Sequence, residues 1–217
     1  MRKQLDSRTL VAALVISAIL FGAGMAAGVG LSRERLGTIE SDLRDVVREV
    51  QTFQLQFLLF DRLGASAACP LLSETLGGIN KRSYGIGSKL TAFGRDEVVT
   101  PEQYGELKKE YTRLLVSYWL LAEKLKQSCA SGQTTVLFFF AKECAQCDDQ
   151  GFVLTYLKSK YTDRLLVFAL DADTQEASLK ALMTYYNVQR FPTLVVNGQV
   201  VDRFATVQEL EGPITGS

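Results

Sequence analysis

Hydrophobic and polar positions divide the chain into three stretches. Residues 10–31 (LVAALVISAILFGAGMAAGVGL) contain no charge. As a helix these 22 residues span about 33 Å, enough to cross a bilayer core. Arg2, Lys3 and Arg8 precede the run, so a cleaved secretory signal with a site near Gly24-Met25-Ala26 competes with a retained anchor. A signal's apolar part runs only about 7–15 residues, and the greater length here favours the anchor. Arg33, Arg35, Arg44 and Arg48 follow the run, so flanking charge leaves its orientation open. Gly24 and Gly28 form a G-x-x-x-G, a weak helix-pairing signal.

The second stretch has helical period. Leu36, Ile39, Leu43, Val46, Val50, Phe53, Phe57 and Phe60 alternate spacings of three and four, an a/d seam flanked by charge. Leu55, Leu58 and Leu59 widen its apolar face, and Gly64 with Ala65-Ser66-Ala67-Ala68 ends it. Thr100 as N-cap, Pro101 as first helical residue and Gln103 in a capping box open another helix. Its stripe is Tyr104, Leu107, Tyr111, Leu114, Tyr118, Leu121 and Leu125, broadened by Leu115, Trp119 and Ala122. Between them, residues 70–93 predict a weaker helix, broken or kinked at Gly77-Gly78, Gly85 and Gly87, since each interior glycine costs about 1 kcal/mol. The expectation is a three-helix bundle. Packing inside that bundle is the expected use of the first seam; a dimer through it is conceivable but not expected.

Two cysteines gain meaning from that bundle. Residues 94–100 join the second and third helices as a hairpin turn, and residue 99 is midway between Cys69 and Cys129. Positions equidistant from a hairpin turn face each other, so these two thiols are placed to form a structural disulfide. Such a bridge would contribute about 4 kcal/mol on the chain-entropy model and would indicate an oxidising compartment. Two unrelated buried thiols are the alternative.

The third stretch changes period. Residues 134–141 (TTVLFFFA) read as a buried strand and run into Cys144-Ala145-Gln146-Cys147, followed by an amphipathic stretch to Tyr161. Residues 165–171 predict a second strand, 175–186 a helix and 193–196 a third strand, and Asn197-Gly198 is a hairpin turn leading into 199–204. This alternation is an α/β sandwich. A C-x-x-C at a strand-to-helix junction places its first sulfur at a helix N-terminus, where the dipole and free N–H groups favour a thiolate. Cys144 is the candidate attacker and Cys147 the resolver. Zinc needs two further ligands; with no His in the chain, only Cys69 and Cys129 remain, in a different region. Neither a metal nor a cofactor is expected.

VLFFFAKECAQC, FALDAD and YYNVQRFPTLVVNG occur in an order that resembles the thioredoxin superfamily over about residues 134–211. The resemblance implies a cis-proline at Pro192 packed against the redox pair, with Phe191 before it touching substrate. It also exposes departures. Glu143 stands where these proteins carry Trp, Phe138 replaces a buried acid, and Ala145-Gln146 replaces Gly-Pro. Glu143, Asp148 or Asp149 is the candidate to stand in for that acid. The family's first strand and helix are missing, leaving the third bundle helix as a cover for the sheet, and only residues 207–210 remain for a last helix.

Composition narrows the function. Lys plus Arg and Asp plus Glu each number 24, so nothing argues for nucleic acid. The absence of His excludes imidazole dyads and His-ligated metals. The expected organisation is a cytoplasmic basic tail (1–9), a single-pass anchor in the cell membrane (10–31), a disulfide-stapled helical bundle (32–130) and a thioredoxin-like domain (134–217), the last two extracytoplasmic. The expected function is thiol–disulfide exchange on protein thiols and disulfides or with a membrane redox partner. A non-catalytic interaction module with a structural C-x-x-C is the alternative.

Overall fold

The computed structural model describes residues 7–63, 69–93, 101–129 and 132–216. The helix end expected at 64–68, the hairpin turn at 94–100 with the Thr100 cap, residues 1–6 of the basic tail (1–9), and the side chains of Leu59 and Phe60 lie outside the described residues. Six α-helices are described: α1 Ser7–Leu63, α2 Cys69–Phe93, α3 Pro101–Cys129, α4 Cys147–Tyr161, α5 Ala177–Tyr185 and α6 Val207–Thr215. The strands are β1 Thr134–Phe140, β2 Leu165–Asp171, β3 Thr193–Val196 and β4 Gln199–Val201.

Helix α1 is continuous for 57 residues, about 86 Å, so the apolar run and the heptad seam form one rod. Leu10, Leu14, Ile19 and Phe21 are exposed, and this helix is long and apolar enough to span a membrane. Burial starts at Ile39 and follows the seam through Leu43, Val46, Val50, Phe53 and Phe57. Leu55 and Leu58 do not widen that face: both are exposed, because α2 and α3 cover only the a/d stripe.

The glycines of α2 do not break it. Leu72, Leu76, Ile79, Ile86 and Leu90 are all buried, and at about 1.5–3 kcal/mol per buried side chain they outweigh four interior glycines. Gly87 has a specific use: a Cβ there would overlap the Tyr111 hydroxyl, which donates to the Ser83 carbonyl at 3.1 Å. Burial pushes the Tyr111 phenol far above its ordinary value, with Tyr84 adding to the shift. Cys69 and Cys129 are bridged, with Cα atoms 5.6 Å apart, joining the first residue of α2 to the last of α3.

The sheet order is β2-β1-β3-β4, with β1 parallel to β2 and antiparallel to β3. Strand alternation sends Leu137, Phe139, Leu166, Phe168, Leu170 and Val195 to one face and Val136, Phe138, Leu165, Leu194 and Val196 to the other. Helices α3 and α5 cover the first face, where Tyr118 meets Phe168 with ring centroids 5.0 Å apart. Helices α4 and α6 cover the second. The bundle core and the α3 face of the sheet form one apolar cluster. Asn197 and Gly198 have φ of 49° and 88°, the two positive values that a type I′ turn requires. The last helix is longer than expected: α6 runs to Thr215 and opens on a capping box between Thr206 and Glu209.

Candidate active site

Strand β1 carries the chain through the centre of the sheet and delivers it to Cys144 and Cys147. These two are disulfide-bonded, with Cα atoms 5.5 Å apart. Cys144 is partly exposed and Cys147 is buried, 6% accessible. Helix α4 begins at Cys147, with Gln146 as its N-cap, so Cys144 lies one turn ahead of the helix instead of starting it. The dipole's effect falls off within the first turn. Asp148 and Asp149 already occupy that turn.

The loop that follows β2 braces the loop that follows β1. Ala172 donates its N–H to the Phe140 carbonyl at 2.7 Å. The Lys142 N–H reaches the Asp173 carboxylate at 2.8 Å, and the Asp173 N–H reaches the Asp171 carboxylate at 2.9 Å. Asp171 is itself paired with Lys108 of α3. The positioning role of Asp171 and Asp173 was not legible from charge pattern alone; the only signal was the acidic end of FALDAD.

Phe191 and Pro192 are joined by a cis peptide bond. Because Thr193 pairs with Phe139 in antiparallel register, Pro192 and Phe191 lie across from Phe140 and Ala141, just before the cysteine turn. Pro192 is buried, and Phe191 is half-buried. Cys144, Cys147 and Phe191 contribute to one apolar cluster with Phe138. Phe138 is buried with its ring 5.4 Å from that of Phe140, so the place of the family's acid is hydrocarbon. Glu143, Asp148 and Asp149 are all exposed, and none takes up a buried position near Cys147. Gln150 is fully buried instead, but it is spent on Ala205, accepting from its N–H at 2.7 Å and donating to its carbonyl at 3.3 Å.

The site is tied to the bundle through α5. Glu176 accepts from the Ser178 and Leu179 N–H groups and from Arg113 of α3. Burial alone would raise its carboxyl; the hydrogen bonds from Ser178, Leu179 and Arg113 hold it below the usual range. Among the described residues no cluster of His, Cys, Asp and Glu could hold a metal ion.

Residues 107–213 match the thioredoxin family model. The C-terminal half of this chain is a thioredoxin domain. Its match begins inside α3, so the helix that completes the bundle also belongs to the thioredoxin domain. Solved structures similar to the chain include a malarial protein, at 25% identity over 39% of this chain and 96% of that one, with a TM-score of 0.34. Another is thioredoxin-2 of the malaria parasite, described as a component of its protein secretion machinery, at 26% identity, 39% and 84% coverage and a TM-score of 0.34. A third is the Schistosoma mansoni thioredoxin pre-protein, at 24% identity, 44% and 88% coverage and a TM-score of 0.33. A thioredoxin domain has a thiol–disulfide oxidoreductase type of function, and its substrates in general are protein thiols and disulfides.

Proposed function

We propose that the chain is a membrane-anchored thiol–disulfide oxidoreductase whose redox centre is Cys144–Cys147 and whose folded part lies outside the cytoplasm. The observation that carries this reading is the asymmetry of the pair, with a partly exposed first sulfur and a buried second one at the end of the central strand of a thioredoxin domain. In the reducing direction, the Cys144 thiolate attacks a substrate disulfide and forms a mixed disulfide, releasing one substrate thiolate that takes up a proton. Cys147 then gives up its proton and attacks the Cys144 sulfur. This releases the second substrate thiol and closes the Cys144–Cys147 bond. Two electrons and two protons pass to the substrate; the oxidising direction is the reverse.

Phe191 and Pro192 supply the surface beside the pair against which an extended substrate segment lies. Residues 10–31 serve as the anchor, 32–130 as the bundle and 134–217 as the redox domain, with α3 of the bundle shared by the redox domain from residue 107 on. The Cys69–Cys129 bridge supports an oxidising compartment, because cytosolic thiols are kept reduced.

The test is a trapping experiment. Cys147→Ser leaves an attacker without a resolver, so it accumulates mixed disulfides on a non-reducing gel. These adducts vanish in the Cys144→Ser, Cys147→Ser double variant. No adducts, together with a reduced Cys144 that resists alkylation, would overturn the enzymatic reading. For topology, a membrane-impermeant protease applied to intact cells cleaves residues 33–217; their full protection places them on the wrong side.

A further inference from the structure

Contacts along α3 fix the height of each part of the sheet. Near the N-terminal end of α3, Lys108 pairs with Asp171, the last residue of β2. Further along, Tyr118 packs on Phe168. Glu123 then accepts from the hydroxyl of Thr135, at the start of β1. Last, Lys126 donates to the Asn197 side chain at 2.6 Å. Strands β1 and β2 therefore run antiparallel to α3, and their C-terminal ends, where Cys144 emerges, lie beside the first turns of α3.

The same reasoning relates α3 to the rod. Helix α3 is antiparallel to α2 through Cys69–Cys129, the Tyr118 hydroxyl on the Leu76 carbonyl, and the Tyr111 hydroxyl on the Ser83 carbonyl. Helix α2 is antiparallel to α1 through Arg82–Glu49 and Lys89–Asp42. Helix α3 thus runs parallel to α1, and by the nearest of these pairs the level of Lys108 corresponds to that of Ile86 on α2 and Asp45 on α1. Helix α1 is unbroken from Ser7 to Leu63, so height along it is measured by rise per residue. Asp45 lies about 21 Å beyond Leu31, the last residue of the apolar run.

From this we infer that the Cys144–Cys147 pair opens toward the bilayer and exchanges disulfides with a membrane protein that presents its cysteines within about 20 Å of the surface, in preference to freely diffusing proteins. The inference rests on residues 10–31 being the anchor. Because the bundle and the α3 face of the sheet share one core, the rod holds the pair at a set height and facing, where a flexible tether would let it turn to either side. Confinement of both partners to one surface raises their effective concentration without any new contact.

The full-length chain in phosphatidylcholine–phosphatidylglycerol vesicles carrying a headgroup-attached acceptor dye tests the geometry. A donor fluorophore is placed on Cys144 of Cys147→Ser, and separately on Gln199→Cys in the Cys144→Ser, Cys147→Ser background. The levels of Lys108 and Lys126 are separated by about 27 Å of helix, so energy transfer from the Cys144 donor should be several-fold more efficient. Equal or reversed efficiencies in protein that floats with the vesicles overturn the inference and leave the anchor reading intact. Protein that fails to float overturns the anchor reading and the inference together.

A second arm reads function. A disulfide peptide on a short lipid tether should be reduced at least tenfold faster than the same peptide in solution. Seven helical residues inserted after Ser32 raise the pair by about 10 Å and nearly preserve its facing. They should slow the tethered reaction alone. An equal effect on both peptides, or none on either, refutes the surface preference.

Discussion

The molecule contains two disulfides of the same chemistry and opposite design. Cys69–Cys129 joins residues 60 apart in sequence, at one end of a helical hairpin. Cys144–Cys147 closes a turn with a separation of 3. On the chain-entropy model the long loop contributes about 4 kcal/mol and the short one under about 2 kcal/mol. The first bridge constrains the unfolded chain most; the second constrains little and pairs a partly exposed sulfur with a buried one. On the proposed function, what separates a staple from a reagent is the size of the loop and the surroundings of the sulfurs.

That contrast is broken most sharply by exchanging the cysteines for serine. Cys144→Ser should abolish thiol–disulfide exchange while changing stability by less than about 2 kcal/mol, as read by a disulfide-reduction assay beside urea unfolding. The double variant Cys69→Ser, Cys129→Ser should do the reverse, losing about 4 kcal/mol in the same unfolding assay and retaining exchange under folding conditions. Activity lost in proportion to the folded fraction fits; activity lost in a fully folded variant would make the staple part of the reaction.

Smaller effects sharpen the view of the stapled hairpin. Gly87→Ala forces a Cβ into the Tyr111 hydroxyl and should destabilise by about 1–3 kcal/mol. Adding Tyr111→Phe removes the obstructing oxygen, so the double variant should recover part of that loss; strict additivity would show that the contact is not the cause. Tyr118→Phe removes the 3.2 Å hydrogen bond to the Leu76 carbonyl and should cost about 1 kcal/mol without altering exchange.

The smallest effect is at the exposed start of α6. Hydrogen bonds from Arg203 and from Thr206 hold the Glu209 carboxyl at about 2, below the ordinary 4.5. A carboxyl depressed in the folded state contributes stability above its ordinary value and loses it as pH falls toward the depressed one. Amide exchange at the start of α6 should therefore quicken as pH drops from about 4.5 to 2, relative to the same amides in Glu209→Gln. No difference between the two proteins would remove the capping role.

Much of this molecule was legible in its residues. The boundaries of β2 and β3, the turn at Asn197-Gly198 and the a/d stripe of α1 follow from period and turn chemistry, which act over a few neighbouring positions. The pairing of Cys69 with Cys129 follows from hairpin symmetry, which needs only the order of helices and a central turn. Other features depend on partners distant in sequence. Helix α2 is unbroken because α1 and α3 bury five of its side chains, an energy that outweighs local glycine cost. Leu55 and Leu58 are exposed because the helices that could cover them meet α1 on a narrower stripe. The loop that leads into Cys144 is braced at the Lys142 N–H by Asp173, 31 residues further along the chain. Local pattern was enough to mark the helices, the strands and the Cys-x-x-Cys at the end of β1, because each of those choices rests on neighbouring residues. Which way the sheet lies against α3, and hence that Cys144 emerges at the end of the sheet nearer the apolar run of α1, is settled by ion pairs and packing between segments whose sequences do not refer to each other.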